Sequence, residues 1–188
     1  DLDVYVINIE NTNKIITAKA RGNVKKQGSI VVGDRVNIKK VNKDYMIESV
    51  IDRKNILIRP PVSNIDQMII VVSVGEPAPD FILLDKQLSL CFAKGITPII
   101  CINKIDLVKE DKKAKEDLEY IKKIYGNLGI EIVFVSAKEC LGLDDLKSLL
   151  INKTSAFSGN SGVGKSSITK EILQNLPDRL EIGNIGIK

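Results

Sequence analysis

Gly159-Asn160-Ser161-Gly162-Val163-Gly164-Lys165-Ser166 is the stretch on which the reading of this chain turns. It has the form Gly-x-x-x-x-Gly-Lys-Ser, follows a short strand-like run from Thr154 to Phe157, and opens a helical pattern from Lys165 to Leu176. Strand, glycine loop and helix in that order put backbone N–H groups at a helix N-terminus, where amide donors and helix dipole together favour an anion. Glycines at 159, 162 and 164 permit the torsions that turn successive N–H groups inward. In such a cup Lys165 reaches the β- and γ-phosphates as the catalytic cation, and Ser166 gives its hydroxyl to Mg²⁺. Asn160, Ser161, Val163 and Ser167 are read as lining the same loop.

Upstream, buried strands alternate with amphipathic helices. Gln67 to Val74 and Thr97 to Ile102 are continuously apolar and read as central strands, with Glu131 to Val135 as another. Leu83 to Lys94, Glu110 to Tyr125 and Leu143 to Ile151 read as helices, the second with Leu118, Ile121 and Ile124 as its apolar stripe. This alternation predicts α/β architecture with a mostly parallel, helix-covered sheet. The first part differs: Val4 to Ile9, Lys14 to Ala20, Ile30 to Ile38 and Tyr45 to Ile51 are short β-branched runs between Asn, Gly and Lys. They predict a small all-β unit with Val36 and Ile38 facing inward, of the OB-type barrel class, one strand of which would precede Asp1. Pro60 and Pro61 sit in a stretch, 53–64, that reads as a linker. The expected domains are therefore 1–58, the β-barrel, and 59–188, the nucleotide domain.

Asn103-Lys104-Ile105-Asp106 follows the strand Thr97 to Ile102, at the carboxyl edge where open α/β sheets bind ligands. The Asp106 carboxylate can accept from guanine N1–H and the exocyclic amine, a donor pair that adenine lacks. Lys104 can lay its aliphatic stem along the base, and Asn103 can brace neighbouring loops. Alone, such a tetrapeptide is also a common capping turn. Ser136-Ala137-Lys138 lies at a third strand edge and alone is an ordinary surface turn. Their shared edge with the phosphate loop is what makes a guanine nucleotide, GTP or GDP, the expected ligand.

Composition narrows the classes. The 188 residues are 44% hydrophobic and 28% charged, the balance of a globular protein, and no apolar run approaches the ~20 residues of a bilayer crossing. A cytoplasmic monomer without a membrane partner is expected. There is no histidine, so zinc sites and Ser-His or Cys-His nucleophiles lack their usual member. Cys91, Cys101 and Cys140 are far apart and read as buried free thiols. Residues 1–58 hold eleven Lys or Arg against seven Asp or Glu, whereas the rest is balanced at seventeen each. The basic excess of the first unit points to an anionic partner such as RNA, through Lys19, Arg21, Lys25 and Lys26.

In ordinary small GTPases the phosphate loop comes first; here it comes last, which resembles the circularly permuted GTPases. Within that group, Arg21-Gly22, Val32-Gly33-Asp34-Arg35-Val36, Arg53-Lys54-Asn55 and Arg59-Pro-Pro-Val-Ser-Asn-Ile-Asp66-Gln67 resemble the ribosome small-subunit-dependent GTPase A family. The resemblance implies an N-terminal OB domain, GTP hydrolysis stimulated by the small ribosomal subunit and its rRNA, and a role in late maturation of that subunit. It also implies that the loop at Ser136, Ala137 and Lys138 presents a backbone N–H to guanine O6. The family pattern continues with an Arg-His-Thr-Thr switch, an Asp-x-x-Gly loop and a zinc module, none of which occurs in these residues. Zinc is therefore expected only in a C-terminal module outside this chain, and the chain itself is expected to bind nucleotide but to hydrolyse it weakly. Two other readings stay open: an RNA-binding assembly factor in which nucleotide only regulates docking, and a P-loop ATPase or kinase.

Overall fold

The computed structural model describes residues 3–12, 14–20, 22, 24 and 29–174. Arg21, Lys25 and Lys26, and the end of the expected helix at Leu176, lie outside them. The chain divides between Asn64 and Ile65 into two compact units.

The first unit is built on strands β1 (Val4–Asn8), β2 (Ile15–Ala20), β3 (Val36–Val41) and β4 (Asp44–Val50) in the order β1-β2-β4-β3. The β1-β2 and β3-β4 pairs are antiparallel, but β2 and β4 run parallel, so the sheet is mixed. Its inner face buries Ala18, Val24 and Ile47, against which Val36 and Ile38 pack. The barrel expected from the four apolar runs is not closed among the described residues, because no ladder joins β1 to β3. The third run begins at Val36 rather than Ile30, because Gly33 takes φ +89° and turns the chain beforehand.

Residues 53–64 are not a loose linker. They fold into a short antiparallel pair, β5 (Ile56–Leu57) and β6 (Val62–Ser63), fastened to the Gly33-Asp34 turn. The Asp34 carboxylate accepts from Arg53 Nε at 2.7 Å, Arg53 Nη2 at 2.7 Å, Ser63 Oγ at 2.6 Å and the Val31 N–H at 2.9 Å. Asn64 donates to the Gly33 carbonyl at 2.9 Å and accepts from the Lys54 N–H at 2.8 Å. A Cβ at Gly33 would lie 2.2 Å from the Ser63 carbonyl oxygen, so only glycine admits this approach. Burial alone would raise the Asp34 pKa; the hydrogen bonds from Arg53, Ser63 and the Val31 N–H outweigh it and hold the carboxyl below its ordinary value.

In the second unit β7 (Gln67–Ser73), β8 (Thr97–Asn103), β9 (Glu131–Phe134) and β10 (Ser155–Ser158) form an all-parallel sheet in the order β10-β7-β8-β9. Strand β7 is buried along its whole length, as expected of a central parallel strand. Its odd residues, Ile69 and Val71, pack with Leu146 of helix α3 (Leu143–Leu150) and Ile168 of helix α4 (Lys165–Gln174). Helices α1 (Phe81–Ala93) and α2 (Lys112–Tyr125) bury Leu84, Leu88 and Ile121 in the same unit. Both start where an aspartate caps them rather than where apolar periodicity begins. Asp80 accepts from the Leu83 N–H at 2.9 Å, and Asp111 from the N–H groups of Lys113 and Ala114. Asp111 therefore displaces the start of the second helix from the expected Glu110, and a 3₁₀ turn, Ile105–Lys109, fills the space before it. Cys91 and Cys101 are buried, and burial pushes their thiols up to about 11 and about 12. Cys140 departs from the expected burial: it is exposed, on a turn at φ +54°.

Candidate functional site

Three loops leave the carboxyl ends of β10, β8 and β9, and one side chain fastens them together. Asn103, the last residue of β8, is buried; its Nδ2 donates to the Val163 carbonyl at 2.8 Å and its Oδ1 accepts from the Ala137 N–H at 3.1 Å. A single amide thus ties the glycine loop to the Ser136-Ala137-Lys138 loop. The tie also accounts for Gly164. A Cβ there would sit 2.2 Å from Asn103 Nδ2, on a backbone at φ +96°. Gly159 is bound by a similar restriction, with the Val71 carbonyl oxygen 2.3 Å from its Cβ position and φ +138°.

The loop from Gly159 to Ser166 leads straight into α4. The N–H groups of Gly162, Gly164, Lys165 and Ser166 donate to no protein acceptor among the described residues. Lys165 reaches back across the loop, donating to the carbonyls of Gly159 at 2.8 Å and Asn160 at 2.6 Å. Burial holds the Lys165 pKa below its ordinary value, so desolvation by an approaching ligand favours an anionic one that restores the charge's solvation. Ser161, Ser166 and Ser167 are exposed, and Val163 is buried beneath the loop as packing.

At the other end, Ser136 Oγ donates to Asp106 Oδ1 at 2.6 Å and itself accepts from the Glu139 N–H at 3.1 Å. One carboxylate oxygen of Asp106 is thereby oriented by a protein donor. Lys104 stands at φ +67°, and its Nζ donates to the Glu76 carbonyl at 2.5 Å. The Lys138 side chain is not drawn in: it is exposed beside Glu139, so only its backbone belongs to this edge.

The structure adds residues that motif reading passed over. The segment after β7 enters the same edge: Ser73 Oγ donates to the Pro77 carbonyl at 2.7 Å, and Pro77 ring carbons lie 3.7 Å from the Cβ position of Gly162. Gln87 Nε2 donates to Ser158 Oγ at 2.6 Å, at the entry to the glycine loop. The available signal was positional, since β7 had to release its chain at this edge as β8 does. An open groove of about 410 Å³, lined by Phe92, Ile96, Thr97, Leu128 and Glu131, lies by the first residues of β8 and β9. It is remote from these loops and gathers no comparable donor set.

For a magnesium ion the fit is of the shared kind. Among the described residues no cluster of three acidic, Cys or His side chains exists that could hold a metal by itself. The exposed Ser166 hydroxyl suits a metal that takes most of its oxygens from phosphate and water. Zinc finds no donor set among the described residues, and the chain contains no histidine.

The family model described as RsgA GTPase matches residues 50–187. The chain belongs to the RsgA GTPase family. Among RsgA relatives, the small ribosomal subunit biogenesis GTPase RsgA of Caldanaerobacter subterraneus is 40% identical over 176 residues, covering 93% of this chain and 57% of that protein. The protein of the same name from Alkaliphilus metalliredigens is 38% identical over 184 residues, covering 96% and 61%. The crystal structure of YjeQ from Thermotoga maritima superposes with a TM-score of 0.80 at 36% identity, over 92% of this chain and 62% of that one. That of YloQ, a circularly permuted GTPase, gives 0.69 at 34% identity, over 87% and 58%. The chain thus spans 57% and 61% of the two RsgA relatives' lengths. No helix among the described residues is long and apolar enough to cross a membrane.

Proposed function

We propose that this chain binds GTP and GDP at the loops gathered by Asn103, and that it forms the nucleotide-recognising part of a GTPase acting in late maturation of the small ribosomal subunit. The observation that carries the reading is the buried Asn103 amide, which holds a phosphate-type loop and a base-reading loop in one fixed relation. In this reading the N–H groups of Gly159 to Ser166 surround the phosphates, with Asn160, Ser161 and Ser167 at the rim. Lys165 leaves its carbonyl partners for the β- and γ-oxygens and stabilises charge that develops in phosphoryl transfer. Asp106, held by Ser136, reads guanine N1–H and the exocyclic amine, and the Ala137 segment faces O6. Ser166 would hold magnesium, which when bound neutralises charge on the β- and γ-oxygens.

For the first unit the proposed partner is the rRNA of the small subunit, with an OB-type barrel as its framework. Supporting this are the mixed β1-β2-β4-β3 order and three exposed lysines, Lys39, Lys40 and Lys43, around the β3-β4 turn with no carboxylate partner among the described residues. The protein is proposed to act as a cytoplasmic monomer. Two measurements test the whole: competition of GDP and ADP for the chain, and its cosedimentation with purified small ribosomal subunits in GDP and in a non-hydrolysable GTP analogue. Equal affinity for GDP and ADP sinks the guanine reading. Absence of cosedimentation in either nucleotide sinks the ribosomal one.

A further inference from the structure

The nucleotide edge has a fourth wall, which no phosphate or guanine motif contains, and it is held from behind by helix α2. The wall is the turn Gly75-Glu76-Pro77 after β7. It touches both halves of the site: the Glu76 carbonyl accepts from Lys104 Nζ at 2.5 Å, and Pro77 stands 3.7 Å from the Cβ position of Gly162. Its anchor is Asp117, a half-buried residue of α2, whose Oδ2 accepts from the Gly75 N–H at 3.0 Å. The exposed pair Lys113–Glu76 at 3.3 Å adds a weaker tether from the same helix. Gly75 is buried at φ +77°, and a Cβ would meet Asp111 Oδ2 at 3.2 Å, so a side chain at this position would be both strained and crowded.

We infer that Asp117 is a positioning residue for guanine binding: by holding the Gly75 N–H it aims the Glu76 carbonyl at Lys104 and so fixes the stem on which the base lies. The inference rests on the guanine reading given above. Without Asp117 the turn samples other conformations, Lys104 loses its acceptor, and apparent affinity falls by the fraction of time the seat is correctly formed. Neutrality at this position is tolerable, because an Asn side chain still offers an oxygen to the Gly75 N–H.

The test is fluorescence titration of the full chain with a labelled GDP, for the parent, Asp117→Ala, Asp117→Asn, Lys104→Met and the Asp117→Ala/Lys104→Met pair, each checked for cooperative thermal unfolding. Asp117→Ala should weaken GDP binding about tenfold, Asp117→Asn by about twofold or less, and Asp117→Ala should add almost nothing once Lys104 is gone. Parent-like affinity of Asp117→Ala overturns the inference, as does full additivity with Lys104→Met. Should Asp117→Ala fail to fold, a tenfold loss in Asp117→Asn overturns it too. If the parent does not prefer GDP to ADP, the guanine reading itself fails, and the two failures are thereby distinguished.

Discussion

Placing a methyl group at Gly164 tests the logic of the site most directly. A Cβ there would lie 2.2 Å from Asn103 Nδ2 and 3.5 Å from its Cγ, on a backbone at φ +96°. Two costs add in Gly164→Ala: about 1–3 kcal/mol for a side chain held at such a φ, and about 1–3 kcal/mol for forcing apart a packed contact. Asn103→Ala removes the amide, with its bonds to the Val163 carbonyl and from the Ala137 N–H, and strands a buried backbone donor at about 1–3 kcal/mol. The two costs share one atom pair. In the double variant the new methyl enters the space that the amide leaves, so the torsional cost stays while the collision vanishes. Equilibrium urea unfolding followed by circular dichroism should show the double variant less destabilised than the sum of the singles by about 1–3 kcal/mol. Additivity within about 0.5 kcal/mol would mean that Asn103 is not what excludes a side chain at 164.

Asp106→Ala should weaken GDP at least about a hundredfold while leaving ADP unchanged, since two charge-assisted hydrogen bonds of about 1.5–3 kcal/mol each are lost; a loss under about threefold in the competition assay refutes the base-reading role. Ser136→Ala, which removes only the 2.6 Å donor that orients Asp106, should cost about tenfold or less in the same assay. Ser166→Ala should abolish the Mg²⁺-dependent gain in GTP affinity yet keep the Mg²⁺-free value within about twofold, measured by titration with and without chelator. The depressed Asp34 pKa makes a stability statement of definite sign: the ion pair's contribution is fully present above the unfolded carboxyl's ordinary range and fades as pH falls through the lower folded value. Melting temperatures at pH 7, 5 and 3 should fall more steeply for the parent than for Asp34→Asn, and parallel slopes would dismiss the assignment.

Legibility varied with how local the cause of each feature was. Strand β8 was plain because five apolar residues in a row, Pro98 to Ile102, bounded by Thr97 and Asn103, admit little else. The edges of helices were misplaced by two residues where capping aspartates, Asp80 and Asp111, outranked apolar spacing. Residues 53–64 read as a linker because prolines are informative about torsion and silent about partners; the partner, Asp34, lies 19 residues before Arg53 and 29 before Ser63. Gly164 was legible for its torsion alone, whereas the side chain that also excludes a Cβ there is Asn103, sixty-one positions upstream in sequence. The Gly75-Glu76-Pro77 turn carried no motif, so only the sheet order could place it at the site. Cys140 was misjudged because an apolar sequence neighbour, Leu141, is itself half exposed on the same turn.

Strand β10 pairs with β7 across 88 positions, Ser155 opposite Gln67, although the two are immediate neighbours in the sheet. Closing so long a chain segment is entropically slow, and a ribosome delivers residues from the N-terminus at only about 5–20 per second. During synthesis β7, β8 and β9, with the loop that follows Asn103 between them, emerge and can pair well before β10 does. The glycine loop then docks onto an Asn103 already in place, so the proposed phosphate-holding half of the site is made after its proposed base-reading half.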